Sequence, residues 1–177
     1  MSAGGWLLLA LVSGLLFWLV AIFNRLVALR HTVRAAWSDI EVQLKRRHDL
    51  IPKLIEAVRQ YAAYEQATLE QVVNLRNASA ARTRPGERGE AERDLEQALH
   101  RVIALAEAYP ELKANRNFLD LQQEISTVEQ DLQYARRFYN GAVRQYNTRI
   151  EQFPDLLLAR LFGFRPEDYF QIEEDER

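Results

Sequence analysis

The sequence predicts an all-α protein in which an N-terminal transmembrane helix continues into an antiparallel up-and-down four-helix bundle. Three observations support this fold class. A long apolar run opens the chain, apolar residues then recur at steps of three and four, and no segment of any length alternates as a strand does. The 177 residues include only 7 glycines and 5 prolines, and such a composition is typical of long helices.

The first element is the apolar run WLLLALVSGLLFWLVAIF, residues 6–23, which precedes the first charged side chain, Arg25. About 20 apolar residues cross the hydrocarbon core of a bilayer. We therefore predict a membrane anchor over residues 1–24 that contacts the lipid bilayer through residues 6–23. A cleaved signal peptide is the alternative, but MSAGG carries no side-chain charge and no Ala-x-Ala site follows Phe23.

Lysine and arginine near the anchor lie only on its C-terminal side, from Arg25 to residues 45–47. Because such residues stay in the cytoplasm, we expect a single-pass protein of the cell (inner) membrane with its N-terminus outside and its bundle cytoplasmic. Ala10 and Gly14 have a spacing that lets two helices approach closely. A homo-oligomer that associates through this helix is therefore one alternative, and a plain lipid-facing helix is the other.

Residues 25–164 are predicted to form the bundle. Its first helix continues from the anchor and ends near His48, because Pro52 cannot donate a backbone hydrogen bond and disfavours helix at the residue before it. The stretch QLKRRHDLIPKL, residues 43–54, is therefore predicted to be a corner between two helices. Pro52 would lie in the first turn of the second helix.

Prolines and glycines delimit the rest of the bundle. The stretch NASAARTRPGERGEAE, residues 77–92, is predicted to be the one clear loop, and the third helix should stop at Pro110. The fourth helix has apolar residues at alternating steps of three and four over residues 118–146, a spacing typical of a coiled coil or a bundle helix. Pro154 ends it, and an acidic tail is expected over residues 165–177.

Long stretches after the anchor carry a family resemblance. They are NRLVALRHTVRAAWSDIEVQLKRRHDLIPKLIEAVRQYAAYE, AEAYPELKANRNFLDLQQEI and RRFYNGAVRQYNTRIEQFP, followed by GF and YF near the C-terminus. This order resembles the LemA family of bacterial membrane proteins and covers nearly everything after the anchor except residues 77–92. The resemblance implies a single N-terminal anchor, an outside N-terminus and an antiparallel helical bundle. It implies no activity, since the family has no agreed biochemical function.

Few residues suggest catalysis or a cofactor. The chain has no cysteine, and none of its three histidines follows a glutamate by three residues, the spacing that di-iron bundles use. No serine lies in a nucleophile elbow, and no glycine-rich phosphate loop occurs. We therefore expect no catalytic residues, no metal and no cofactor. With a net charge of −2 and only short basic clusters, we also expect no nucleic-acid binding.

Tyrosine–asparagine pairs occur twice on the fourth helix, seven residues apart. The tyrosines fall on its apolar face, and the asparagines lie at the edge of that face. We predict that Asn140 and Asn147 bond across helices and fix their register, as buried amides do in coiled coils. A ligand site is the alternative.

Two predicted corners, residues 43–54 and 109–118, supply the candidate interaction residues at the end of the bundle far from the membrane. The partner-binding candidates are Arg46, Arg47, His48, Lys113 and Arg116. Asp49, Asn115 and Asn117 are assigned to helix capping. We expect Arg46, Arg47 and His48 to be displayed at the surface, where they would contact an unknown membrane or cytoplasmic protein. A purely architectural role for both corners is the alternative.

The function class that these observations favour is a non-enzymatic interaction or scaffold module at the cell membrane. A regulatory subunit of another membrane protein, such as a peptidase or a transporter, is the first alternative. An enzyme with an unrecognised site is the second. Residues 155–164 either touch the bilayer interface or cap the membrane-near end of the bundle.

Overall fold

The computed structural model describes residues 3–170. Helices fill most of this range and no strand occurs in it, which confirms the all-α class. The helices are α1 (Ala3–Arg59), α2 (Gln66–Ala80), α3 (Pro85–Leu105), α4 (Pro110–Lys113), α5 (Arg116–Glu151) and α6 (Asp155–Leu161), and a 3₁₀ turn occupies Ala63–Glu65. The antiparallel four-helix arrangement stays a prediction.

Helix α1 passes through Pro52 and ends at Arg59, so the predicted end near His48 is wrong. Proline at position 52 removes the N–H group that would bond the His48 carbonyl in a regular helix. Nε of Arg76, on α2, donates to that carbonyl at 2.8 Å. A side chain from another helix thus replaces the missing backbone donor, and the corner lies beyond Arg59.

The segment predicted as a loop, residues 77–92, is mostly helical. Helix α2 continues to Ala80 and α3 begins at Pro85, which leaves only residues 81–84 outside helices. Proline is well suited to the first turn of a helix, where its missing N–H is not needed. Pro85 therefore begins a helix instead of marking a loop.

Contacts between residues divide the chain into two units. The first unit comprises the described parts of Met1–Ala36 and Asn140–Glu167, and the second unit those of Trp37–Tyr139 and Asp168–Arg177. Helices α1 and α5 each contribute residues to both units, a division that the sequence did not predict.

The core of the second unit combines buried side chains from α1, α2, α3 and α5. They include Leu50, Ile51, Leu54 and Val58 of α1, Leu69 and Val72 of α2, Leu95, Leu99 and Val102 of α3, and Phe118, Leu121, Ile125 and Val128 of α5. On α5 these buried positions follow the predicted steps of three and four. Packing of such apolar faces, more than helix propensity, stabilises helices of this kind.

Asn115 caps the start of α5. Its Oδ1 accepts a hydrogen bond from the Phe118 N–H at 3.0 Å, which is the geometry of an N-cap. Its Nδ2 donates to the Tyr61 hydroxyl at 2.9 Å and joins α5 to the turn after α1. The other predicted cap, Asn117, lies inside the first turn of α5, so its assignment as a cap is wrong.

In the first unit, the apolar N-terminal part of α1 exposes large side chains such as Leu7, Phe17 and Trp18. Within residues 3–170, α1 alone is long and apolar enough to cross a membrane. A surface of this kind is what a lipid-facing helix presents.

Helix α6 ends in a tight turn that directs Phe164 into the interior of the first unit. Gly163 has a φ of 69°, a conformation that glycine adopts without steric cost. The Phe164 N–H bonds the Ala159 carbonyl at 2.9 Å and the Gly163 N–H bonds the Arg160 carbonyl at 3.4 Å, as in a Schellman cap. Phe164 is buried as a result.

The first part of the predicted acidic tail is packed against the protein. In the first unit, the Asn147 side chain exchanges two hydrogen bonds of 2.9 Å with the backbone of Glu167. In the second unit, the Tyr139 hydroxyl donates to the Asp168 carbonyl at 2.7 Å, and Phe170 is buried. Residues 171–177 lie outside the described residues.

Asn147 therefore does not bond across helices as predicted, because the non-helical segment after α6 takes up its amide. Asn140 lies half-buried on α5. Its bond to another helix stays a prediction.

Candidate functional site

Two of the predicted partner-binding residues are buried, so their expected display at the surface is wrong. Arg47 is fully buried and His48 nearly so, within α1 in the second unit. They are buried because α1 continues past them, which places Arg47 and His48 four and three residues before the core residue Ile51, on the buried face of the helix. Arg47 and His48 meet a carboxylate instead of solvent.

That carboxylate is Glu92 of α3, which is 3% exposed. His48 Nε2 lies 2.8 Å from Glu92 Oε1, and the Ser79 hydroxyl of α2 donates to the same oxygen. Arg47 Nη1 lies 3.5 Å from the other oxygen, Oε2. We call these four residues, Arg47, His48, Ser79 and Glu92, the Glu92 cluster.

The surroundings of Glu92 favour its charged form. Burial raises the pKa of a carboxyl group, but the hydrogen bonds from His48 and Ser79 and the charge of Arg47 outweigh that effect and hold the pKa of Glu92 below its usual value. With Glu92 ionised, His48 Nε2 carries the proton of their hydrogen bond. The cluster therefore combines a buried anion with a buried arginine cation.

A second carboxylate also approaches Arg47. Glu129 Oε1 of α5 lies 3.7 Å from Arg47 Nη2. A cleft of about 20 Å³ borders these groups and is lined by Arg47, Glu92, Glu129 and Phe170, among others. It has room for about one water molecule, which is too little for an organic substrate.

The Glu92 cluster contains the residue types of a serine hydrolase triad, but its hydrogen bonds connect them differently. In a triad the histidine contacts the serine and takes its proton, while the acid orients the histidine from the far side. Here Ser79 and His48 both bind the same oxygen of Glu92. The serine thus bonds to an acceptor that is a weak base, so the geometry joins helices and does not activate a nucleophile.

Lys45, Arg46 and Asp49 are the exposed members of the KRRHD stretch. Arg46 lies 3.6 Å from Asp131 of α5, and Asp49 pairs with Lys45 at 2.8 Å within α1. The hydrogen bond from Lys45 lowers the pKa of Asp49. Because Asp49 lies inside a continuous helix, its predicted role as a cap is wrong.

Lys113 and Arg116 are exposed, but they are not beside the Glu92 cluster. Arg47 contacts α5 at Glu129, whereas Arg116 is the first residue of α5. At 1.5 Å per residue, these two points lie about 20 Å apart along the helix axis. The structure therefore separates the five predicted partner-binding residues into two groups.

Lys113 and Arg116 instead lie near the turn between α1 and α2. Tyr109 donates to Glu65 Oε1 at 3.4 Å, and Asn115 bonds Tyr61 as described above. Between these two bridges on the turn, Tyr64 is 98% exposed. We call the group of Tyr64, Lys113 and Arg116 the end surface of the second unit.

Sequence reasoning missed Glu92 and Ser79, although helical spacing places both on buried faces. Glu92 lies three residues before the core residue Leu95, and Ser79 lies seven residues after the core residue Val72. Extending the apolar pattern of α2 and α3 into residues 77–92 would have found them. Among the described residues, no group of three or more His, Asp or Glu side chains has the geometry of a metal site.

The profile of the LemA family matches residues 36–177, which contain the Glu92 cluster and the end surface. The chain belongs to the LemA family. The resemblance noted from the sequence is thereby confirmed over most of the chain.

Individual relatives of this LemA-family chain are distant. Magnetosome proteins MamQ 1 and MamQ 2 of Paramagnetospirillum magneticum are each 24% identical to it in an alignment that covers 84% of this chain and 64% of theirs. Protein LemA of Metamycoplasma hominis is 27% identical in an alignment that covers 87% of this chain and 71% of its own length. This chain therefore spans less than two thirds of the length of the MamQ relatives.

Family membership and the apolar part of α1 together describe a membrane-associated, all-helical protein. The family name and the names of these relatives denote no enzymatic activity.

Proposed function

We propose that this LemA-family chain is a non-catalytic interaction module, held at a membrane by α1, that binds a protein partner through its end surface. The observation that carries the proposal is the 98% exposure of Tyr64. Tyrosine is enriched at the energetic centres of protein interfaces, because its ring contributes a large contact area at a small entropic cost.

The setting of Tyr64 supports a binding role. The Tyr61–Asn115 and Tyr109–Glu65 bridges hold its turn against the segment that carries Lys113 and Arg116. Loops on a rigid scaffold are common places for binding residues, because little conformational entropy is lost when a partner binds. Lys113 and Arg116 add cationic groups that would pair with carboxylates at the rim of such an interface.

The Glu92 cluster supports the non-catalytic part of the proposal. Its serine and histidine are buried and both bond to its buried glutamate, and the adjoining cleft admits no organic substrate. We assign the cluster to the internal support of the helices, arranged as an antiparallel bundle. Of the predicted partner-binding residues, Lys113 and Arg116 then lie at the partner surface, whereas the exposed Arg46 pairs with Asp131 of α5.

Site-specific photo-crosslinking in cells tests this proposal. A photoreactive phenylalanine analogue at position 64 should give one dominant adduct with a second protein, identified by mass spectrometry. The matched control is position 134, where an exposed tyrosine lies on α5 of the same unit. The Lys113→Glu, Arg116→Glu double variant should reduce the adduct several-fold, whereas Lys53→Glu, on the exposed side of α1, should not.

The partner's identity also separates the function classes. A peptidase or a transporter in the adduct would favour the regulatory-subunit alternative. If positions 64 and 134 give the same adducts, or none, Tyr64 is not a partner contact and the end surface has an architectural role.

A further inference from the structure

The segment around α6 exposes large apolar side chains. Phe153 is 79% exposed, Leu161 is 75% exposed, and Leu157 and Phe162 are each more than half exposed. All four belong to a stretch of ten residues in the first unit. We call them the α6 patch.

The exposure of the α6 patch is a consequence of how α6 is held. Leu158 and Ala159 face the interior of the first unit, and the Schellman cap at Gly163 directs Phe164 inward as well. The one acidic side chain of α6, Asp155, is buried and paired with Arg149. The outward side of α6 therefore presents apolar side chains together with the cationic Arg160.

The α6 patch adjoins the membrane segment of α1. The ring of Phe162 meets the ring of Phe23 edge-on, with their centroids 4.9 Å apart, and Phe164 lies 5.9 Å from the same ring. Phe23 is the last residue of the apolar run. Arg30, which lies in the charged part of α1 after that run, stacks over the ring of Phe164. The exposed surface of α6 thus begins at the depth where the lipid-facing surface of α1 ends.

We propose that the α6 patch inserts into the interfacial region of the bilayer that α1 spans. A helix with an apolar outer side and cationic edges lies in this region, where aromatic rings contact the acyl boundary and arginine reaches the phosphates. Lipid is the expected occupant because the patch continues the surface of α1. The inference rests on the membrane anchoring of α1 but is independent of the partner surface at Tyr64.

Spin-label accessibility on the full chain in phosphatidylcholine nanodiscs tests the inference. The chain has no cysteine, so single cysteines can be introduced without background. Leu157→Cys, Leu161→Cys and Phe153→Cys report on the α6 patch. Ala35→Cys is the control, because it is exposed on α1 of the same unit and lies about 18 Å from Phe23 at 1.5 Å per residue.

We expect the ratio of collisions with oxygen to collisions with a water-soluble nickel chelate to be several-fold higher at 157 and 161 than at 35. Oxygen concentrates in the bilayer, whereas the chelate is excluded from it. Position 153 lies before α6 and provides a second, independent readout if a label within α6 perturbs that short helix. Ratios at all three positions equal to that at 35 would overturn the inference. Low collision rates with both reagents, together with dipolar broadening that unlabelled protein removes, would also overturn it and assign the patch to self-association.

Discussion

Arg47 places a positive charge inside the second unit, and the residues around it determine what that charge contributes to stability. Glu92 and Glu129 lie 3.5 and 3.7 Å from its guanidinium nitrogens. Removing an ion from water costs several kcal/mol, and the attraction of the opposite charges offsets that cost only while both partners are present. Arg47, which was predicted at the surface, is therefore a buried charge that Glu92 of α3 and Glu129 of α5 stabilise.

We expect Glu92→Gln to lower the free energy of unfolding by about 3 kcal/mol near neutral pH, because Arg47 would lose its closest charged partner. Circular dichroism melting of the full chain in mild detergent measures this change. Asp49→Asn is the control, since its carboxylate is exposed and exposed pairs contribute little. Equal melting temperatures for Glu92→Gln and the unaltered chain would contradict the ion-pair assignment.

The difference in stability between the unaltered chain and Glu92→Gln should depend on pH with a definite sign. The folded state lowers the pKa of Glu92 from its ordinary value of 4.5. Its contribution to stability is therefore complete above that value and is lost as the pH falls through the lower, folded-state pKa. The difference in melting temperature between the unaltered chain and Glu92→Gln should accordingly narrow as the pH falls below 4.5.

At the scale of elements, the continuity of α1 through Pro52 depends on α2. The Arg76 guanidinium donates to the carbonyl that proline leaves without a helical partner. A hydrogen bond from a charged donor contributes about 1.5–3 kcal/mol when its loss leaves a buried acceptor unpaired. We therefore expect Arg76→Met to destabilise the chain by about that amount.

A double-mutant cycle isolates the role of Pro52. Alanine at position 52 would supply the missing N–H to the His48 carbonyl, so Arg76→Met should cost less in a Pro52→Ala background than in the unaltered chain. Arg101→Met, which removes a surface contact to Gln71 at 3.3 Å, is the control and should behave alike in both backgrounds. If Arg76→Met costs the same with proline and with alanine, the His48 carbonyl is not the reason for its effect.

At the scale of the whole molecule, membrane topology is the property that orients every surface described above. Arginines follow the apolar run of α1, so we expect Ser2 outside and the helical part of the chain after that run in the cytoplasm. A cysteine at Ser2 should react with an impermeant maleimide on intact cells, or on spheroplasts if an outer membrane is present. A cysteine at Ala80 should react only after lysis.

Ala80 is the better cytoplasmic probe because it is exposed, whereas the neighbouring Ser79 is buried against Glu92 and would resist labelling on either side. Labelling at Ala80, and not at Ser2, in intact cells would reverse the proposed orientation.

Local pattern determined the long apolar helix at the N-terminus, the all-helical class and the buried face of α5. Each depends on properties of adjacent or periodically spaced residues, namely the length of an apolar run and steps of three and four along a helix. The same pattern, extended through residues 77–92, also contained the positions of Ser79 and Glu92. Glycine and proline obscured it there, because both residues occur in loops as well as in the first turns of helices.

Only the tertiary structure decided where α1 ends, why Arg47 and His48 are buried, and what Asn147 binds. In each case the deciding group comes from a distant part of the chain: Arg76 at the His48 carbonyl, Glu92 beside Arg47, and the Glu167 backbone at the Asn147 amide. The sequence shows that a proline leaves a helix carbonyl without its backbone donor, and that an arginine or an asparagine needs a charged or hydrogen-bonding partner when it is buried. Which partner meets that need depends on helix packing, because unpaired polar groups are costly in the interior and are satisfied by whatever donor or acceptor the packed helices bring within reach.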